Sequence, residues 1–255
     1  MNKGKKIPVI PNSIILSTLE EMNEFENFDQ VKTTILPYAR EDDFEKYIIK
    51  LLAVTKISNK NYSEIIFSID PGTKYLGLVI FLDDYYLNSH TLYDIENLIK
   101  KIWLYVNALE EGIPNPLKVI FKFGRGIIPI TLKLIEQIFK EFKEERLRVL
   151  LIDEAKTSKY KIRDKARSKI PKDEAAALFI SLRDGLEITH ENYRTLINQK
   201  RLNRLKSEKF DKARVEDNEE IDHKLIEIAE NVLKGNLSLS KSMELIKTSK
   251  SNNLS

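Results

Sequence analysis

The stretch IIFSIDPGTKYLGLVIF, residues 65–81, contains two apolar runs separated by a Pro-Gly corner. The first run ends at Asp70 and is rich in β-branched residues, which favours a buried strand. The second run predicts another strand, and the acidic pair at 83–84 predicts a tight turn into a third strand that begins at Tyr85. Three adjacent strands joined by short turns predict an antiparallel meander. A carboxylate at the end of a buried strand calls for an explanation.

Strands and helices alternate after this meander. Apolar residues at helical spacing predict a helix over 95–109, and LKVIFKFGRG predicts a strand before a helix that Pro129 opens. RVLLIDE predicts a further buried strand, and PKDEAAALFISLRDG predicts a helix that Gly185 ends. The order predicts an α/β fold with a mixed five-stranded sheet flanked by helices. We expect three parts, which are a helical N-terminal extension (1–60), the core (61–186) and a helical, basic C-terminal extension (187–255).

The composition excludes several classes of protein. Hydrophobic residues make up 42% of the 255 residues, which is enough for a substantial core. A formal net charge of +3 does not by itself indicate a nucleic-acid-binding protein. The absence of cysteine excludes disulfides and thiolate metal sites. Pro8 and Pro11 interrupt the first apolar run, and no run approaches the roughly 20 apolar residues of a membrane span. We therefore expect a soluble, cytoplasmic protein.

Acidic residues lie at the ends of three predicted elements. Asp70 ends the first strand, Glu154 follows Asp153 at the end of the last strand, and Asp173 and Glu174 open the next helix. Sites in open α/β sheets form at such strand ends. Converging carboxylates repel each other unless a cation neutralises them, and oxygen ligands without histidine or cysteine select Mg²⁺ or Mn²⁺. Each position also has a structural explanation, because Asp-Pro-Gly forms turns and acids suit the first turn of a helix.

Basic residues concentrate in the connector between the last strand and that helix. We predict that this connector binds phosphates, with its tyrosine stacking on a base or ribose. A solvated run of charge is the alternative. Lys122 and Arg125 lie at another strand end, before a helix N-terminus, and suit a phosphate contact. The connector residues assigned to nucleic-acid binding are Lys156, Lys159, Tyr160, Lys161, Arg163, Lys165, Arg167 and Lys169.

These motifs resemble the RNase H-like superfamily in its RuvC and YqgF branch. The D-x-G signature and its second glycine match Asp70, Gly72 and Gly77. LLIDEAKTS is similar to the strand-end D-E-x-x-T segment of the YqgF type, and KDEAAALFISL resembles the final helix of both types. The resemblance covers residues 63–185 and implies an RNase H-like core.

The resemblance also implies a function. Members of this branch are metal-dependent nucleases, and the RuvC type cuts four-way DNA junctions (Holliday junctions) in recombination and repair as a homodimer. The YqgF type is associated with RNA processing. By resemblance, Asp70 bridges two metal ions, Glu154 is a ligand and Asp173 completes the site, with Glu174 as a further candidate ligand. The expected activity is two-metal hydrolysis of phosphodiesters with Mg²⁺ or Mn²⁺, most readily in branched DNA.

The chain departs from the family pattern at three points. The fourth strand, KVIFKFGRG, lacks the glutamate that RuvC-type proteins place at its end. Asp173 has Ile170 and Ala176 at the spacing where the RuvC type has a second aspartate. Ala155 stands where the YqgF type usually has arginine. A non-cleaving nucleic-acid-binding protein of the same fold is therefore an alternative. A sugar-kinase-like ATPase is a further one, which the 8 glycines of the chain disfavour because its phosphate loops are glycine-rich.

Overall fold

The computed structural model describes residues 13–22, 33–41, 43–57, 62–153, 170–192 and 219–251. The strands are β1 (Ser13–Thr18), β2 (Thr33–Tyr38), β3 (Glu64–Pro71), β4 (Leu76–Leu82), β5 (Tyr85–Leu92), β6 (Lys118–Gly124), β7 (Leu147–Ile152) and β8 (Leu186–Ile188). The helices are α1 (Leu19–Met22), α2 (Phe44–Lys56), α3 (Ile95–Glu110), α4 (Ile128–Glu141), α5 (Lys172–Ser181), α6 (Glu219–Leu233) and α7 (Leu239–Ser251), and a 3₁₀ turn (Glu144–Arg146) precedes β7.

The central sheet has six strands in the order β5-β4-β3-β6-β7-β8. β3, β4 and β5 pair antiparallel as a meander, whereas β6 and β7 run parallel to β3. The prediction of a mixed α/β sheet flanked by helices is confirmed, but the predicted five strands are one too few. The additional strand, β8, pairs antiparallel with β7 over three residues, from Leu186 to Ile188. So short an edge strand carries too little apolar pattern to be recognised in the sequence.

Helices cover both faces of this sheet. Ile65, Phe67 and Ile69 of β3 pack in the larger hydrophobic cluster, which also contains core residues of α3 and α4. Ile66 packs on the opposite face, in the cluster formed by α5, α6 and α7. Because residues of a strand alternate between the two faces, Asp70 has its side chain on the α5 face with Ile66. Cover on both faces explains why β3 and β4 are apolar without alternation.

The N-terminal part differs from its prediction. The expectation of a helical extension over residues 1–60 is wrong for two described segments, because β1 and β2 form a parallel two-stranded sheet. Both strands contain β-branched residues that favour extended backbone, and their pairing joins segments that are separated by residues 23–32. Residues 44–56 of this part are helical, as expected, and form α2. It begins at Asp43, whose side chain accepts hydrogen bonds from the backbone N–H groups of Glu45 and Lys46.

In the C-terminal part, residues 219–233 and 239–251 are helical as predicted, whereas Glu187 and Ile188 belong to the strand β8. The apolar side of α6 packs on the core through Ala229 and Val232, so it is covered within the chain. Asp84, in the β4–β5 turn, holds the start of α7, because its backbone carbonyl accepts from Leu239 N (2.8 Å) and its carboxylate accepts from Ser240. Among the residues that the structure describes, no helix is long and apolar enough to cross a membrane.

Candidate active site

Asp70 lies at the carboxyl end of β3, beside the point where the strand order reverses. β4 follows β3 on one side and β6 lies on the other, which is the arrangement that creates a crevice at the strand ends. Asp70 is half-buried and stands opposite Gly77 of β4 in the antiparallel register. Side chains of directly opposed residues share a face, so the Asp70 carboxylate and the bare Cα of Gly77 both face α5.

Gly77 allows the first turn of α5 to rest on the sheet beside Asp70. A Cβ atom at position 77 would lie 2.0 Å from the carbonyl oxygen of Asp173 and 3.1 Å from the nitrogen of Glu174. Only a glycine permits this approach, because the opposing atoms are backbone. The structure therefore brings the backbone of Asp173 against the residue paired with Asp70, and places the two predicted ligands at one edge of the sheet.

Ser68 fixes the register of α5 one turn further along. Its Oγ donates a hydrogen bond of 2.7 Å to the carbonyl oxygen of Ala177. Ser68 and Asp70 are two residues apart on β3, about 6.6 Å, whereas Ala177 and Asp173 are four residues apart on α5, about 6 Å. The matching intervals align the start of α5 with the end of β3. Ser68 is fully buried, so this hydrogen bond compensates for a polar group in the core.

Glu174 holds the same helical turn against β5. Its side chain is 4% exposed, and its two carboxylate oxygens accept hydrogen bonds from Ser89 Oγ at 2.5 Å and from Thr91 Oγ1 at 2.9 Å. Both oxygens of this buried carboxyl group are engaged, so the contact anchors α5 to β5. The sequence suggested Glu174 as a metal ligand, whereas its contacts in the structure are those of a residue that positions α5.

β7 ends at the same edge of the sheet as β3, because both strands run parallel to β6. Asp153 is half-buried, and its carbonyl oxygen accepts a hydrogen bond of 2.7 Å from Arg183 Nη1. The next residue, Glu154, and the basic connector lie outside the described residues, which resume at Ile170 just before α5. Metal binding by Glu154 therefore stays a prediction. So does nucleic-acid binding by the connector residues Lys156, Lys159, Tyr160, Lys161, Arg163, Lys165, Arg167 and Lys169. Within the described ranges, no three acidic, histidine or cysteine side chains form a group that could hold a metal ion.

Lys122 is buried beneath the C-terminal end of α5. It lies within β6, is 5% exposed, and donates hydrogen bonds from Nζ to the carbonyl oxygens of Ser181 (2.5 Å) and Arg183 (3.1 Å). Burial lowers the pKa of Lys122 to about 8. Its ammonium interacts with the negative end of the α5 dipole. The side chain of Lys122 therefore extends under α5 and not beyond the strand end, and its assignment to nucleic-acid binding stays a prediction.

Arg125 lies at the carboxyl end of β6. It follows β6 directly and is half-buried at the same sheet edge as Asp70, because β3 and β6 are parallel. The N-terminus of α4 begins three residues later, and the side chain of Ile127 makes no capping hydrogen bond to it. A phosphate contact at Arg125 stays a prediction.

Four polar residues of this region were missed in the sequence. Ser68, Ser89 and Thr91 anchor α5 to the sheet, and Arg183 holds the end of β7. A serine inside the apolar run IIFSID was the one available signal, since a buried hydroxyl requires a partner. The partners themselves come from a helix more than 80 residues later in the chain.

No protein-family model matches this sequence, and no curated protein matches it. The fold and the geometry at the sheet edge therefore carry the functional argument. They define a mixed α/β protein with two acidic residues, Asp70 and Asp173, brought to the carboxyl edge of its central parallel strands.

Proposed function

We propose that this protein is a metal-dependent nuclease with an RNase H-like core. The observation that carries the proposal is the contact of Gly77 with the backbone of Asp173, which brings α5 to the end of β3 where Asp70 lies. β7 ends at this same edge with Ile152, two residues before Glu154. The meander followed by two parallel strands, with helices on both faces, further supports the proposal.

The donor set fits a hard divalent cation. Asp70 and Asp173 supply carboxylate oxygens, and Glu154 would add a third carboxylate next to Asp153. Mg²⁺ and Mn²⁺ prefer such oxygen ligands, whereas zinc and copper favour nitrogen and sulfur ligands. A bound cation would supply Lewis-acid stabilisation of the phosphate and a more acidic water.

The residues of the chain bind and orient the substrate in this proposal. Asp70 and Asp173 hold the attacking water in line with the scissile bond, and Arg125 neutralises a phosphate nearby. The oxygen of water forms a bond to phosphorus while the bond from phosphorus to the 3′ oxygen breaks. One proton of the water is released to solvent, and the 3′ oxygen takes up a proton as it leaves. The products are a 5′-phosphate and a 3′-hydroxyl.

We assign branched DNA as the first candidate substrate and structured RNA as the second. The resemblance to RuvC-type proteins favours four-way junctions cut by a homodimer, and the resemblance to the YqgF type favours RNA. The basic connector that begins after Glu154 supports either polyanion, because it joins the two elements that carry the acids.

One observation favours a non-cleaving protein of the same fold. β6 pairs directly with β3, so its carboxyl end is the position nearest to Asp70 for a further acid. Gly124 and Arg125 occupy this end instead of a carboxylate. A protein that binds structured nucleic acid without cutting it is therefore the second candidate.

A cleavage assay tests the proposal. Labelled four-way junctions, flaps, duplexes, single strands and structured RNA are incubated with Mg²⁺ or Mn²⁺ and with wild type, Asp70→Asn or Asp184→Asn. Asp184 is the matched control, because it is an exposed acid just beyond the other end of α5 and pairs with Lys247. Mn²⁺ binding is measured calorimetrically for the same three proteins.

We expect metal-dependent cutting of one structure by wild type and Asp184→Asn, with a loss of at least about 100-fold in Asp70→Asn. Mn²⁺ affinity should fall in Asp70→Asn alone. If no substrate is cut but binding persists in all three proteins, the non-cleaving candidate replaces the nuclease. Cutting that survives in Asp70→Asn would show that this acid is not part of the catalytic site.

A further inference from the structure

A half-buried tyrosine and an exposed one form an aromatic pair at the sheet edge where Asp70 lies. Tyr75 lies in the β3–β4 turn and Tyr93 in the β5–α3 turn, with ring centroids 5.4 Å apart and ring planes at 70°. Tyr93 is 75% exposed, which makes it the most exposed large hydrophobic side chain among the described residues. Packing in the core therefore does not explain this ring.

The pair is held by short, ordered turns. A Cβ atom at Gly72 would lie 2.3 Å from the carbonyl oxygen of Tyr75, so the turn is as tight as its backbone allows. Leu76, the residue after Tyr75, pairs with Leu92, the residue before Tyr93, so the β4–β5 pairing holds the two tyrosines side by side. A surface that is ordered before binding loses little conformational entropy when a ligand binds.

A positive charge accompanies the rings. The Nζ atom of Lys74 lies 5.2 Å from the centroid of the Tyr75 ring, within the range of a cation–π interaction. The ammonium group of Lys74 and the exposed ring of Tyr93 together present one cation and one aromatic face to solvent. Single-stranded nucleic acid offers the complementary groups, which are a phosphate and an unpaired base, at each nucleotide.

The aromatic pair lies at the same sheet edge as the candidate active site. Tyr75 lies two residues before Gly77. Gly77 pairs with Asp70 and contacts the backbone of Asp173. Arg125 lies across β3 from the pair, on the β6 side of the site. A strand of nucleic acid that crosses Asp70 would therefore meet phosphate-binding charge on one side and the aromatic pair on the other.

We propose that Tyr93, supported by Tyr75 and Lys74, stacks on an unpaired nucleobase adjacent to the bond that is cut. The inference rests on the proposed function and narrows its substrate to nucleic acid with an unpaired or splayed nucleotide near the cleavage point. Stacking on an aromatic face tolerates any base, so the contact selects structure and not sequence.

The test measures binding without cleavage. A single-stranded oligonucleotide of mixed sequence that carries the fluorescent base 2-aminopurine is titrated with full-length protein in EDTA. Fluorescence anisotropy reports affinity, and quenching of 2-aminopurine reports stacking. The variants are Tyr93→Leu, which removes the ring, and Tyr93→Phe, which keeps it. Tyr85→Leu is the matched control, because Tyr85 is an exposed tyrosine (42%) at the other end of β5.

We expect Tyr93→Leu to weaken binding of this probe by about 5-fold to 150-fold and to abolish quenching, as for the loss of one stacked base. Tyr93→Phe and Tyr85→Leu should behave as wild type. Equal affinity and quenching in wild type and Tyr93→Leu would overturn the inference, as would an equal loss in the Leu and Phe variants.

The outcomes separate this inference from the proposed nuclease function. If wild type cuts nucleic acid but Tyr93→Leu binds and cuts equally well, the stacking role is wrong and the nuclease stands. If the aromatic ring is required for binding but nothing is cut with Mg²⁺ or Mn²⁺, the stacking role stands and the nuclease is wrong. If wild type binds no nucleic acid, both are wrong.

Discussion

Gly77 sets the distance between α5 and the sheet at the candidate site, and Gly77→Ala should separate the two acids. The added methyl group would meet the carbonyl oxygen of Asp173 at 2.0 Å, the carbonyl carbon at 2.4 Å and the nitrogen of Glu174 at 3.1 Å. All three atoms are backbone, so no side-chain rotation relieves the overlap. Ordinary contact begins at 3.4 Å, and the first turn of α5 must therefore move by about 1.4 Å.

The displacement affects stability and activity by separate routes. Overpacking of this kind costs about 1 to 3 kcal/mol of the free energy of unfolding, and each kcal/mol lowers the melting temperature by about 2 to 4 °C in a chain of this size. A shift of about 1 Å in a catalytic group lowers the rate by about 100-fold. We therefore expect Gly77→Ala to lose about two orders of magnitude in metal-dependent cleavage.

Gly112→Ala is the matched control for the loss of stability. Gly112 follows α3, has a φ of +85°, and an added Cβ would meet nothing within 4 Å. Alanine there costs about 1 to 2 kcal/mol through its left-handed backbone alone. Gly112 lies near the opposite sheet edge, before β6 begins, so the acids are undisturbed. Thermal unfolding and cleavage are measured on both variants below their melting temperatures.

We expect both variants to be destabilised but only Gly77→Ala to lose activity. If Gly77→Ala cleaves as fast as Gly112→Ala, the close approach of α5 is not required for catalysis and the reasoning is refuted. If Gly77→Ala is as stable as wild type, the packing argument itself is wrong, whatever the protein does.

Two further predictions concern the anchors of α5. Glu174→Gln keeps an acceptor and a donor for Ser89 and Thr91, so we expect cleavage within about tenfold of wild type; a loss as large as that of Asp70→Asn would identify Glu174 as a metal ligand. For Lys122, burial lowers the pKa to about 8 from 10.5, so the unfolded chain binds more protons above pH 8 and folding stability from this group rises with pH. In denaturant titrations, the free energy of unfolding of wild type minus that of Lys122→Met should rise by about 2.5 kcal/mol from pH 7 to 10. A difference that stays constant over this range would contradict the lowered pKa of Lys122.

Local sequence patterns account for most of the central sheet. The residues from Ile65 to Phe81 predict β3, the corner and β4, because apolar β-branched runs and a Pro-Gly turn act over a few residues. The helices α3, α4 and α5 follow from apolar spacing and from Pro129 and Gly185. Asp70 and Asp173 could be selected as a candidate pair because each lies at the end of a recognisable element.

Other features depend on partners that are distant in the chain. β1 pairs with β2, and β8 pairs with β7, through backbone hydrogen bonds. Such pairing hardly depends on side chains, so the sequences of β1, β2 and β8 do not predict it. Lys122 has the appearance of a phosphate-binding residue at a strand end, but its ammonium donates hydrogen bonds to the carbonyl oxygens of Ser181, the last residue of α5, and of Arg183 just beyond it. Its environment follows from the packing of a helix onto the sheet, and no pattern around position 122 predicts this.

The sequence thus determined which residues could form a site, and the tertiary structure decided which of them meet. Periodicity and turn chemistry are local, so they specify strands, helices and the acids at their ends. The approach of Asp173 to Asp70 depends on the missing side chain of Gly77 and on the hydroxyl of Ser68, which act only after α5 has packed on the sheet. Contacts between distant segments are set by close packing of the whole core, which no short stretch of sequence contains.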